Sequence, residues 1–151
     1  MLSYEDIFSR ARNKIDDPKE LSLDDEDLNE IYIERLHSAL GNVRIKKLFS
    51  KLVAKDEVQE IEWTLKNIPT GSKEDDEEDY VIELLALGMT IEWFKPKVDS
   101  ITNISKAIGG KEEKIINDNH KSNINRLKSL EVELSKMVRD HGYLYNSYLQ
   151  E

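Results

Sequence analysis

The sequence predicts a mainly α fold: a small helical bundle around one central apolar helix, with one long C-terminal helix, a short strand and an extended C-terminal tail. Three observations carry that reading. Residues 80–98 are almost continuously apolar in a chain that is 35% charged, so other elements must enclose this segment on most sides. Ile116, His120, Asn123 or Ile124, Leu127, Leu130, Leu134 and Met137 recur every three or four positions, a mostly apolar seam for another helix. Serines stand three residues ahead of a carboxylate at Ser3 and Asp6, Ser22 and Asp25, and Ser72 and Asp75. That is close to a capping box, with Asp replacing Glu or Gln, and it marks three helix starts.

Taken in order, the first helix runs over about 4–15, with Ile7, Phe8, Ala11 and Ile15 on one face, until Asp16-Asp17-Pro18 stops it. The second covers about 24–40 through Leu28, Ile31, Tyr32, Arg35 and Leu36, and Gly41-Asn42 ends it. A third, over about 43–54, turns Ile45, Leu48, Phe49 and Leu52 inward. Ile61, Trp63 and Leu65 then alternate with Glu60, Glu62 and Thr64, the pattern of a half-exposed strand, although Val58, Ile61 and Leu65 also satisfy helical spacing. No strand partner is evident nearby, so this edge either invites strand addition from another chain or is covered within the chain, by a hairpin through residues 69–71 or by an irregular segment. Residues 68–71 read as a turn. The hub helix follows, with Pro96 expected to kink or end it. Val98, Ile101 and Ile108 continue a helical face to the break at Gly109-Gly110. The last helix spans about 111–140, with His141-Gly142 as its cap. Residues 1–142 thus form the bundle and 143–151 a tail.

Composition narrows the function. A chain of 151 residues fits one domain with a real core. Its net charge of −9 argues against a primary grip on nucleic acid, which needs Lys and Arg to neutralise phosphates. With no cysteine there is no disulfide, thiolate nucleophile or Cys-based metal site. The opening residues lack a signal-peptide pattern, and the apolar stretch 80–94 is short of the roughly 20 residues of a membrane span. Both point to a chain made and kept in a cytoplasm, or packaged into something built there.

The acidic run 74–79 has two readings. It could hold Mg²⁺, as clustered carboxylates do in all-helical nucleotide pyrophosphohydrolases, but no second acidic pair at suitable spacing is visible. It also reads as a solvated helix start favoured by the helix dipole. His37, His120 and His141 fit no metal or catalytic motif. No nucleophile elbow and no phosphate loop is present, so no catalytic, cofactor or metal residue is assigned. The basic residues Arg44, Lys47, Lys51 and Lys55 face an opposite possibility: meeting Glu74, Asp75, Glu77 and Glu78 of a neighbouring copy, head to tail, which closes into a ring when the rotation suits. Contact with DNA, which the net charge disfavours, solvated faces, or pairing within one subunit are the alternatives. The tail holds three tyrosines in nine residues, which suits a peptide that docks on a partner or one folded back on its own helix.

Several segments together carry a family resemblance: residues 82–100, the Gly109–Lys114 stretch, Asn119-His120, and Arg139 to Tyr143 with Asn146-Ser147-Tyr148. The chain resembles small structural proteins from the late gene clusters of tailed bacteriophages that infect Gram-positive bacteria, of the head–tail connector or adaptor type. The resemblance implies a helical bundle that forms a homo-oligomeric ring under the portal protein after DNA packaging. It implies portal docking through Tyr143, Leu144, Tyr145, Tyr148 and Leu149. Other neck or tail proteins are the further partners, with DNA only as passing cargo and no membrane or cofactor. The implied location is the head–tail junction of the virion, after synthesis in the host cytoplasm.

Overall fold

The computed structural model describes residues 1–15, 20–66, 74–108 and 110–144, with side chains placed except at 21, 74–75, 99–119 and 142–144. The described chain is mainly helical, with five α-helices and one three-stranded antiparallel sheet: β1 (Leu2–Ser3), α1 (Tyr4–Lys14), α2 (Asp25–Leu40), α3 (Val43–Lys46), β2 (Phe49–Lys55), β3 (Glu60–Leu65), α4 (Glu74–Ile108) and α5 (Gly110–Leu144). The strand order is β1-β3-β2.

The helix starts follow the sequence chemistry in part. Ser3 caps α1, its hydroxyl accepting from the Glu5 amide at 3.2 Å. For α2 the cap is Asp24 rather than Ser22: its carboxylate accepts from the Asp27 amide at 2.8 Å. The Ser72 start lies outside the described residues.

The hub prediction holds. Leu84, Leu85, Ala86, Leu87 and Met89 have no exposed surface, and Thr90 and Ile91 have 1% each. A helix buried all round needs neighbours all round, and α4 packs against α1, α2 and α5. Thr90, the polar residue in this stretch, satisfies its hydroxyl on the Ala86 carbonyl at 2.8 Å. Gly88 lets α4 approach the C-terminal end of α2 and α3, since a Cβ there would stand 2.9 Å from Ile45 Cδ1 and 3.1 Å from Ala39 Cβ. Leu130, Leu134 and Val138 form the buried stripe of α5.

Four expectations need correcting. Residues 43–54 are not one helix: α3 stops at Lys46 and β2 begins at Phe49. The spacing of Ile45, Leu48, Phe49 and Leu52 fits a helix only because a bulge between Phe49 and Lys51 interrupts the strand's alternation. β3 is not unpaired; it is the central strand, with Leu2 opposite Ile61 on one side and Ala54 opposite Ile61 on the other. Of the two outcomes expected at Pro96, a kink or an end, the end is ruled out: α4 runs on to Ile108. The lost backbone bond, of the order of 3 kcal/mol in an isolated helix, is outweighed by packing along the equally long α5. Likewise α5 continues through Gly142 to Leu144, its last turns anchored where His141 stacks on Tyr80 with ring centroids 4.8 Å apart. Between β2 and β3, Gln59 takes a left-handed conformation (φ 53°) that closes the four-residue turn.

Candidate interaction surface

The basic residues of 43–55 spread over three elements. Arg44 lies on α3, Lys47 in the following turn, and Lys51 and Lys55 on β2. Lys51 and Lys55 share one face of the strand and converge on a single carboxylate, Glu62 of β3, at 2.5 and 3.1 Å. Hydrogen bonds from Lys51 and then Lys55 hold the Glu62 carboxyl below the usual carboxylate range. Glu60 stands opposite Lys55 on the same face, so this face carries two lysines and two glutamates, and the cations without an acid on their own elements are those of α3 and its following turn. The Arg44 guanidinium donates to the Ser135 hydroxyl of α5. Among the described residues, no carboxylate pairs with Arg44, Lys46 or Lys47.

The acidic start of α4 is partly committed within the subunit. Arg10 of α1 bridges Asp79 and Glu83 at 2.8 and 2.9 Å, and Lys14 reaches Glu83 at 2.5 Å. Burial pushes the Glu83 carboxyl up, but hydrogen bonds from Lys14 and Arg10 outweigh it and hold the group below its ordinary value. Glu77 and Glu78 are half-buried, while the Glu74 and Asp75 side chains lie outside the described residues. Among the described residues, no three His, Asp or Glu side chains converge as a metal site. Asp79 and Glu83, which a Mg²⁺-dependent hydrolase reading would draw on, already face two cations.

The tail positions divide the same way. Tyr143 and Leu144 close α5, with their side chains outside the described residues, and Tyr145, Tyr148 and Leu149 lie beyond them altogether. The turn that leads to the tail is well fixed. The Tyr80 hydroxyl donates to the Met137 carbonyl at 3.0 Å, and His141 is 7% exposed. Burial lowers the His141 imidazole below its ordinary value, partly opposed by Glu77.

A polar cluster that sequence reasoning missed ties three elements together. Buried Tyr4 at the start of α1 donates its hydroxyl to Asp56 in the β2–β3 turn, and His37 near the end of α2 contacts the same carboxylate at 2.9 and 3.0 Å. Burial, and then the bond to Asp56, push the Tyr4 phenol up. The Tyr4 bond, then His37, hold the Asp56 carboxyl low against its desolvation. No motif links positions 4, 37 and 56; only the β1–β3 pairing, which puts the Tyr4 amide on the Gln59 carbonyl at 2.9 Å, brings them together. Two clefts flank α2. One lies against α1, among Phe8, Arg12, Leu28 and Tyr32, and the other against α4, among Ile31, Arg35, Trp93 and Pro96.

No protein-family model matches this chain, and no curated protein or solved structure matches it either. Among the described residues, no helix is long and apolar enough to cross a membrane.

Proposed function

We propose that the chain is a non-enzymatic virion assembly protein, a head–tail connector that forms a ring between portal and tail and docks on the portal through residues 143–151. The observation that carries the reading is the pair of unlike charged surfaces on one body. Among the described residues, the α3–β2 surface keeps Arg44, Lys46 and Lys47 without a paired carboxylate, next to Lys51 and Lys55, which pair with Glu62. The start of α4 supplies the acidic surface, with Glu77 and Glu78 part of it. Unlike surfaces meeting head to tail are the requirement for a closed ring. Residues 84–91 of the hub are buried within a single subunit, which leaves the outer charged faces and the tail for assembly. Many weak contacts around a ring give avidity without tight pairwise binding. The resemblance on 82–100 and 139–148 supports the phage setting.

The test is quantitative peptide mass spectrometry on purified particles of the phage that encodes the chain. The expected result is about one copy per portal subunit, falling to background when residues 143–151 are deleted. Absence of the intact chain from particles would overturn the proposal.

A further inference from the structure

The outer edge of β2 is open, and its main-chain geometry can be worked out. The Tyr4 amide bonds the Gln59 carbonyl, so Gln59 turns its main-chain groups toward the β1 side of β3. Ile61, two residues on, faces the same way and pairs with Leu2. On the other side the Lys66 amide bonds the Leu48 carbonyl, so even-numbered residues of β3 face β2. Ala54, opposite Ile61, and Leu52, opposite Trp63, are therefore in non-hydrogen-bonded pairs. Their N–H and C=O groups point away from β3, along the free edge. Among the described residues, no strand pairs with that edge.

We propose that this edge is a strand-addition site for an extended, acidic segment of another polypeptide. The inference does not depend on the connector reading. Side chains on the two faces of β2 say what the incoming strand must carry. On the core side, Leu52 and Ala54 are half-buried at the rim of the hydrophobic core, so apolar residues on that face of an added strand would extend the core. On the solvent side, Lys51 and Lys55 are matched by Glu62 and Glu60 of β3, while Arg44, Lys46 and Lys47 stand as a surplus of cations at the strand's N-terminal end. Positions 43–55 hold five cations and no acid in a chain of net charge −9. That surplus is complementary to carboxylates alternating with apolar residues.

The same lysines argue against self-pairing. An antiparallel β2–β2 contact centred on Val53 would set Lys51 opposite Lys55 of the second copy, placing like charges side by side. Lysines on an edge also guard against indiscriminate aggregation, and here that guard is selective, because an acidic strand neutralises it.

The experiment uses the full chain and a fluorescein-labelled Glu-Val-Glu-Val-Glu-Val-Glu peptide, with binding read by fluorescence anisotropy. Three comparators accompany it: the Lys-Val counterpart, the acidic peptide N-methylated at alternate amides, and the Ala54→Pro chain. Proline at 54 removes an outward N–H while leaving the β2–β3 ladder intact. The acidic peptide is expected to bind, the lysine peptide not to bind, and both N-methylation and Ala54→Pro to weaken binding at least about tenfold. The proposal is overturned by any of three results: no binding of the acidic peptide up to about 1 mM, equal binding of the N-methylated peptide, or a chain that sediments alone as a dimer that Ala54→Pro dissolves. Should Ala54→Pro fail to fold, the N-methylated peptide still decides between strand pairing and simple charge attraction.

Discussion

Gly88 gives the sharpest test of how the hub is packed. Replacing it with Ala adds one methyl to a helix interior, which by propensity alone stabilises by about 1 kcal/mol. In this fold the new Cβ would stand 2.9 Å from Ile45 Cδ1 and 3.1 Å from Ala39 Cβ, inside the 3.5–4.0 Å of ordinary carbon contacts. Overpacking of this kind costs about 1–3 kcal/mol. The sum is a net loss of roughly 0–2 kcal/mol for Gly88→Ala. Ile45→Val removes the tighter of the two obstacles and by itself costs about 0.5–1.5 kcal/mol. In that background the close contact to Cδ1 is gone and Ala39 Cβ at 3.1 Å remains, so the loss on Gly88→Ala shrinks toward zero. The double-mutant cycle should show a favourable coupling of about 1 kcal/mol, well beyond the 0.3–0.5 kcal/mol scatter of independent sites. Urea unfolding followed by far-UV circular dichroism measures all four variants, with the m-value checked for constancy. If Gly88→Ala has the same effect in both backgrounds, Ile45 does not limit the approach of α4, and the packing argument fails.

Two further outcomes follow from the polar groups. His141 is held below its ordinary value of 6.5 by burial, so the unfolded chain binds a proton more readily than the folded one. Its contribution to stability is therefore fully present above pH 6.5 and is lost as pH falls toward the lowered folded value. His141→Phe, which keeps a ring on Tyr80, should flatten the unfolding free energy between pH 7.5 and 5.5; an unchanged slope would show that another group carries it. Asp56→Ala removes the acceptor of the buried Tyr4 hydroxyl and should cost about 1–3 kcal/mol. Tyr4→Phe in the same chain should recover most of that loss in thermal unfolding, and additive losses would refute the assigned bond.

How far the sequence disclosed this fold depends on the range of the interaction involved. The hub was legible because a helix buried on all sides must be apolar on all sides, and Leu84 to Ile91 leaves no other arrangement. The α5 stripe was legible through Leu130, Leu134 and Met137 at helical spacing. The strand β3 announced itself by alternation, but its partners did not. β1 is two residues long, too short to carry a period, and the bulge at Ser50 puts two exposed residues in succession, which hides β2 behind a helical spacing. The charged surface was legible as a set of cations. That Lys51 and Lys55 meet on Glu62, and that Arg10 and Lys14 hold Glu83, depended on pairings between distant positions that no local pattern records. The Tyr4–Asp56–His37 cluster was invisible for the same reason.

The enclosure of α4 also has a bearing on the order in which the protein can be made. The apolar faces of α1 and α2, with Ile7, Phe8 and Leu36 fully or almost fully covered in the finished fold, rest on a helix that is synthesised after both of them. A nascent chain halted before residue 91 carries those faces with much of their cover missing. Stable folding must then wait until the hub has left the ribosome, and its outer face for longer still, until the Leu130–Val138 stripe of α5 arrives. Until that moment the growing chain depends on its abundant charge to stay dispersed, and prematurely terminated products are expected to be cleared rather than to survive as half-bundles.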